Sequence, residues 1–160
     1  MGLATKIERR FRGIDSPGKL KLATAGCPRN CSEAYVKDVG LVAVEGGRWE
    51  IHVGGAAGSH VRKGDLLCVV DSHEDALLLT GRFMQYYREI AKFKERTHSF
   101  VERIGMSRIR AIVVEDSDGI AADLDRAMQE SVDAYVDPWK EADNPATANQ
   151  FKSLIPVGED

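Results

Sequence analysis

The sequence has little cysteine, three residues in 160, and it has no long hydrophobic run. An odd count cannot pair completely within the chain, and so sparse a set excludes the disulfide-stapled scaffold of small secreted domains. Nowhere do about 20 consecutive apolar residues occur, the length that a membrane-spanning helix needs. The opening Met1-Gly-Leu-Ala-Thr-Lys6 carries no signal-peptide core, so no membrane association and a cytoplasmic location are expected. Positive charge is not in excess either, because 22 Lys and Arg stand against 25 Asp and Glu, a formal charge of −3. That balance argues against a broad basic surface for nucleic acid, and Arg108 with Arg110 alone make no such patch. What is there is a hydrophobic fraction of 43% with 29% charged residues, enough apolar material for a sizeable core.

Hydrophobic spacing lays out the elements. Leu3, Ile7 and Phe11 recur every four residues and predict a helix ending near Gly13. Lys19-Leu-Lys-Leu-Ala23 alternates as a half-buried strand does and leads to Gly26 and Cys27. Gly40-Leu-Val-Ala-Val44 predicts a buried strand and Trp49-Glu-Ile-His-Val53 an alternating one, with Gly46-Gly47 as the hairpin turn between them. After the glycine loop Gly54-Gly-Ala-Ala-Gly-Ser59, residues 65–70 form a further strand that carries Cys68. Ser72 and Asp75 mark the start of a helix with the stripe Leu79, Phe83, Tyr86/Tyr87, Ile90 and Phe93, and the pattern restarts near Thr97 with Phe100, Val101 and Ile104. Residues 106–115 suit strand and helix alike. Ile120, Leu124, Ala127/Met128, Val132 and Tyr135 predict a last amphipathic helix, stopped by Pro138. The expected fold is α+β, a mixed and partly antiparallel sheet with packed helices, with residues 1–136 as one domain and residues 137–160 as a tail.

The informative segment is Thr24-Ala-Gly-Cys27-Pro-Arg-Asn-Cys31-Ser-Glu33. Two thiols at the end of a strand, in a turn containing Pro28, can point the same way and grip one metal centre. Thiolates are soft ligands suited to iron–sulfur clusters or zinc, and Arg29 between them favours the deprotonated form. Zinc would draw two more ligands from His52, His60, His73 and His98, which are scattered along the chain. A redox dithiol uses the same residues, although the usual motif has two intervening positions. A small apolar cysteine with no special role is the remaining reading.

A longer pattern surrounds this segment. Leu20 to Glu33 is followed by Lys37-Asp-Val-Gly40, by Val44-Glu-Gly-Gly-Arg-Trp-Glu-Ile-His-Val-Gly-Gly55 and by Val61-Arg-Lys-Gly-Asp-Leu-Leu67. Phe83-Met-Gln-Tyr-Tyr-Arg-Glu89, Glu95-Arg-Thr97, Val101-Glu-Arg-Ile-Gly105 and Asp137-Pro-Trp139 continue it. The whole resembles the C-terminal part of the large subunit of assimilatory NAD(P)H-dependent nitrite reductase, in the sirohaem and [4Fe–4S] nitrite and sulfite reductase family.

The resemblance implies that Cys27 and Cys31 are the second cysteine pair of a [4Fe–4S] cluster. It implies that Cys31 is also the axial thiolate of the sirohaem iron and hence the catalytic cysteine, in an oxidoreductase that reduces nitrite to ammonia. The family's earlier cysteine pair, just before the helix that corresponds to residues 2–12, has no counterpart in these 160 residues. FAD and NAD(P)H are expected only on the missing upstream regions. The implied partners are that upstream half of the large subunit and a small Rieske-like subunit, and the chain alone is expected to be inactive. A sulfite reductase fragment and a noncatalytic binding or assembly module with the same fold are the competing readings.

Arg29 and Asn30 are candidate cofactor-binding residues, donating to cluster sulfide or a sirohaem carboxylate, or else they only shape the turn. Gly54, Gly55 and Gly58 either admit a sirohaem carboxylate to the backbone or form an ordinary loop, and they lack dinucleotide-binding spacing. His60, Arg62 and Lys63 face the anionic macrocycle or solvent. Cys68 is expected as a buried structural residue. Glu115 to Asp118 reads as a solvated turn without the later ligands of a calcium loop.

Overall fold

Leu3–Phe11 form the first helix (α1), which turns Leu3, Ile7 and Phe11 into the core as their spacing requires. Four strands follow: β1 (Leu22–Ala25), β2 (Val39–Val44), β3 (Arg48–Val53) and β4 (Asp65–Val70). They pair in the order β1-β2-β3-β4, with β1 parallel to β2 and the other pairs antiparallel. Helices α2 (His73–Ile90), α3 (Thr97–Ile104), α4 (Met106–Val113) and α5 (Ala121–Asp133) complete the α+β fold. The computed structural model describes residues 2–137, so Pro138 and the rest of the expected tail lie outside the described residues.

Alternation along β2 explains the layering. Val39 and Leu41 enter a main core with Ile51, Val53, Leu67, Phe83, Tyr87 and Phe100, while Val42 belongs to a small second cluster with Ala25 and Ala34. Each fully buried large apolar side chain contributes about 1.5–3 kcal/mol, which fixes the helices on one face of the sheet. The other face of β2 is covered by a single 3₁₀ turn, Ala34–Val36.

Some expected boundaries move. The first strand lies at Leu22–Ala25 and not at residues 19–23, because Lys21 is already engaged at the entry to the ladder, its carbonyl accepting from Val39 N–H at 3.2 Å. The hairpin has a three-residue connection, Glu45–Gly47, with positive φ at both Gly46 and Gly47. Residues 106–113 are helical, since Ile109, Ile112 and Val113 all become buried at helical spacing. Arg110 ties that helix to β4 by donating to the carbonyls of Leu66 and Leu67, with Nε at 3.1 and 3.3 Å. Helix α2 stops at Ile90, so Phe93 falls outside the stripe and is 86% exposed.

Candidate functional site

Because β1 and β2 are parallel, the chain must leave the end of β1 and return alongside it, and the cysteine segment makes that passage. Asn30 N–H donates to the Cys27 carbonyl at 3.1 Å and Glu33 N–H to the Asn30 carbonyl at 2.9 Å, two tight turns in succession. Asn30 and Glu33 take φ values of 54° and 55°, a left-handed conformation that asparagine tolerates better than most residues. Ser32 Oγ donates back to the Thr24 carbonyl at 2.7 Å, and Asn30 Oδ1 accepts from Tyr35 N–H at 3.3 Å. The result is one compact loop with Cys27 and Cys31 both exposed and both free thiols.

The loop rests on backbone that leaves no room for side chains. A Cβ on Gly40 would sit 2.0 Å from the Ala34 carbonyl oxygen, and one on Gly55 would sit 2.4 Å from that of Lys37. The 3₁₀ turn can therefore lie directly on β2, and the glycine loop after β3 directly on the 3₁₀ turn. Gly64 N–H closes the contact by donating to the Tyr35 carbonyl at 2.7 Å.

Beneath the passage lies an ionic node that sequence reasoning missed. The Asp38 carboxylate, 1% exposed, accepts from Lys21 N–H at 2.9 Å, from Arg96 at 3.0 Å and from the Thr97 hydroxyl. A buried carboxylate requires such partners, and these join the start of β1, the end of the cysteine passage and the start of α3. A second cluster stands beside it: His52 Nε2 lies 2.9 Å from the Glu50 carboxylate, and the His52 ring meets Tyr35 edge-on at 4.6 Å. Burial, reinforced by the charge of Glu50, pushes the Tyr35 phenol above its ordinary range. The only advance signals for these groups were an acidic residue placed just before a buried strand, Asp38, and the Arg96-Thr97 pair at a helix start.

The remaining expected site residues separate. Arg29 is exposed in the cysteine loop, and Asn30 commits its carbonyl oxygen to the turn. Cys68 lies on β4, the opposite edge of the sheet from β1. Three strand spacings make that about 14 Å. It packs against the main core, and burial, partly opposed by Arg110, pushes its thiol up to about 11, far from thiolate character. His52 and His73 are engaged with Glu50 and Trp49, while His60 and His98 meet each other. Among the described residues, no group of three or more ligating side chains includes Cys27 or Cys31, so the zinc set considered from sequence is not assembled within them. Arg62 is held by Gly54, Asp65 and Glu102, and Lys63 lies over the Tyr35 ring at 4.5 Å. The glycine loop does line a polar pocket of about 130 Å³ with Lys21, Asp38, His60, Arg96 and His98. No described helix is long and apolar enough to cross a membrane.

An exposed pair of free thiols on one hydrogen-bonded turn fits half the ligand set of an iron–sulfur cluster. Comparison with known proteins gives the same direction. The chain is 38% identical to Nitrite reductase [NAD(P)H] of Bacillus subtilis (strain 168) over 157 residues, 97% of this chain and 19% of that protein. It is 35% identical to the Nitrite reductase (NADH) large subunit of Escherichia coli (strain K12) over 158 residues, 97% of this chain and 18% of that protein. Over 114 residues, 71% of this chain and 52% of the relative, it is 40% identical to the assimilatory-type Sulfite reductase of Nitratidesulfovibrio vulgaris (strain Hildenborough). The chain thus spans about a fifth of the length of the first two relatives. With residues 1–120 matching its description, the chain belongs to the nitrite and sulphite reductase 4Fe-4S domain family.

Proposed function

We propose that the chain is the cluster-bearing C-terminal part of a nitrite reductase large subunit. Cys27 and Cys31 would supply two thiolates to a [4Fe–4S] cluster, and Cys31 would in addition hold the iron of a sirohaem. The observation that carries this reading is the free thiol pair on the rigid turn after β1, in a chain of this family. When bound, the cluster and sirohaem would supply one-electron chemistry to take nitrite to ammonia.

The chain's own contribution is position and charge. Pro28, with its fixed φ, and the Asn30 and Ser32 hydrogen bonds shape the loop that carries both thiols. Arg29 places a positive charge in the loop between them. Arg29 and the amide of Asn30 are side-chain donors on the same loop for an anionic group there. Two more thiolates have to come from outside these 160 residues, because Cys68 is on the wrong edge of the sheet and protonated.

The upstream half of the large subunit is the partner that completes the site. It packs against β1, which is an edge strand among the described residues, and against the apolar groove of about 330 Å³ lined by Ile7, Phe11, Leu22 and Ala23. FAD and NAD(P)H belong to those upstream regions, a small Rieske-like subunit accompanies them, and the assembly works in the cytoplasm. The chain by itself is inactive. Sulfite is the second substrate reading, favoured by the 40% identity to a sulfite reductase.

Cys31→Ser in the complete enzyme tests the assignment. Nitrite reduction is expected to fall by about 100-fold or more, beyond the loss typical of groups that only support a ligand, while NAD(P)H-to-flavin electron transfer stays intact. Nitrite reduction near its original rate would contradict the role given to Cys31. Sulfite turnover exceeding nitrite turnover in the unmodified enzyme would decide for the second substrate.

A further inference from the structure

We propose that His60, His98 and Glu102 form a binding site for a divalent transition-metal ion, separate from the cysteine turn, that clips the glycine loop to α3. Their ligand atoms all lie within 4.8 Å of one another, and they are the one such group among the described residues. Two of the chain's four histidines meet here from distant sequence positions, with ring centroids 5.0 Å apart and planes tilted by 33°.

The elements present these donors for simple reasons. His98 and Glu102 stand four residues apart on α3, so their side chains share one face of the helix. His60 sits on the loop between β3 and β4, whose base is pinned by paired hydrogen bonds of 2.9 Å between Ala56 and Arg62. Arg62 then locks loop to helix. It donates to the Gly54 carbonyl at 2.8 Å, to Asp65 at 2.7 Å and to Oε1 of Glu102 at 3.1 Å. The Glu102 carboxylate is thereby oriented with its second oxygen left over, as outer hydrogen bonds orient ligands in known metal sites. The Ser99 hydroxyl, 3.2 Å from Nδ1 of His98, steadies that ring.

Two imidazoles and one carboxylate select borderline ions of the zinc, cobalt and nickel kind over calcium or magnesium, which prefer all-oxygen shells. His60 and Glu102 are exposed, so water completes the coordination. Arg62 brings a positive charge to the edge of the site, which keeps the affinity below that of a dedicated structural zinc centre.

The test is a cobalt(II) titration of the Cys27→Ser/Cys31→Ser chain, which removes the competing thiol pair and separates this site from the cluster reading. One equivalent should bind with visible d–d absorption and no thiolate charge-transfer band, and cobalt should raise the melting temperature. His60→Ala and His98→Ala, each added to that background, should weaken binding by roughly 100-fold and abolish the thermal shift. Absence of binding below about 1 mM, a thiolate band from Cys68, or binding that persists in either histidine variant would overturn the site.

Discussion

Single residues in this protein act mainly by holding backbone and charge in place around two exposed thiols. Asp38 shows the pattern, being buried and fully engaged while touching neither cysteine. Glu95 shows it just before α3, where Arg103 grips its carboxylate with two hydrogen bonds of 2.7 Å and Lys92 N–H adds a third at 2.8 Å. The Arg103 hydrogen bonds outweigh the opposing effect of burial and hold the Glu95 carboxyl at about 2, against an ordinary value of 4.5. The folded state therefore resists protonation that the unfolded chain accepts. Its contribution is complete above the ordinary carboxyl range and is lost as the pH falls through that range towards about 2. Glu95→Gln should lower stability at neutral pH by a small amount, because solvent screens this exposed pair. Urea midpoints of the two proteins should converge as the pH is lowered, and a gap that stays constant with pH would contradict the ionic role of Glu95.

The element scale is where the sequence was most and least legible. Helices α1, α2 and α5 follow from their apolar spacing, and the Ser72 cap is present, its Oγ accepting from Asp75 N–H at 3.0 Å. Strand β1 and the segment at residues 106–113 were harder because both are decided by partners and not by pattern. Lys21 is fixed by Asp38, seventeen positions later, and Arg110 by β4, more than forty positions earlier. The cysteine pair was visible as spacing, yet the support beneath it was not, since a glycine in a strand gives no hint of what lies against it. Gly40 is the critical case. An added methyl there would meet the Ala34 carbonyl at 2.0 Å, so the 3₁₀ turn must lift from β2 and carry the cysteine loop with it. Gly40→Ala should cost about 1–3 kcal/mol, as overpacking does, and reduce the iron content of the assembled enzyme. Normal stability in urea together with full iron content would show that the close approach is dispensable.

For the molecule as a whole, the sheet order separates two kinds of sulfur chemistry. The thiol pair stands on the loop after β1, an edge strand among the described residues, and Cys68 is built into the opposite β4 edge against the core. The cluster proposed at this pair would need a second protein surface to supply its other two thiolates. Composition gave no sign of this, because apolar content for a core says nothing about how many ligands a site requires. The family resemblance did, through the cysteine pair that these 160 residues lack. The most direct measurement is anaerobic reconstitution with iron, sulfide and sirohaem of this chain alone and together with the upstream half of the large subunit, followed by iron and sulfide analysis and a visible spectrum. Cluster and haem absorption with about four irons per complex, appearing only when both halves are present and lost in Cys27→Ser/Cys31→Ser, is the predicted result. A complete cluster on this chain alone, or no iron uptake by the two halves together, would contradict the shared-site account.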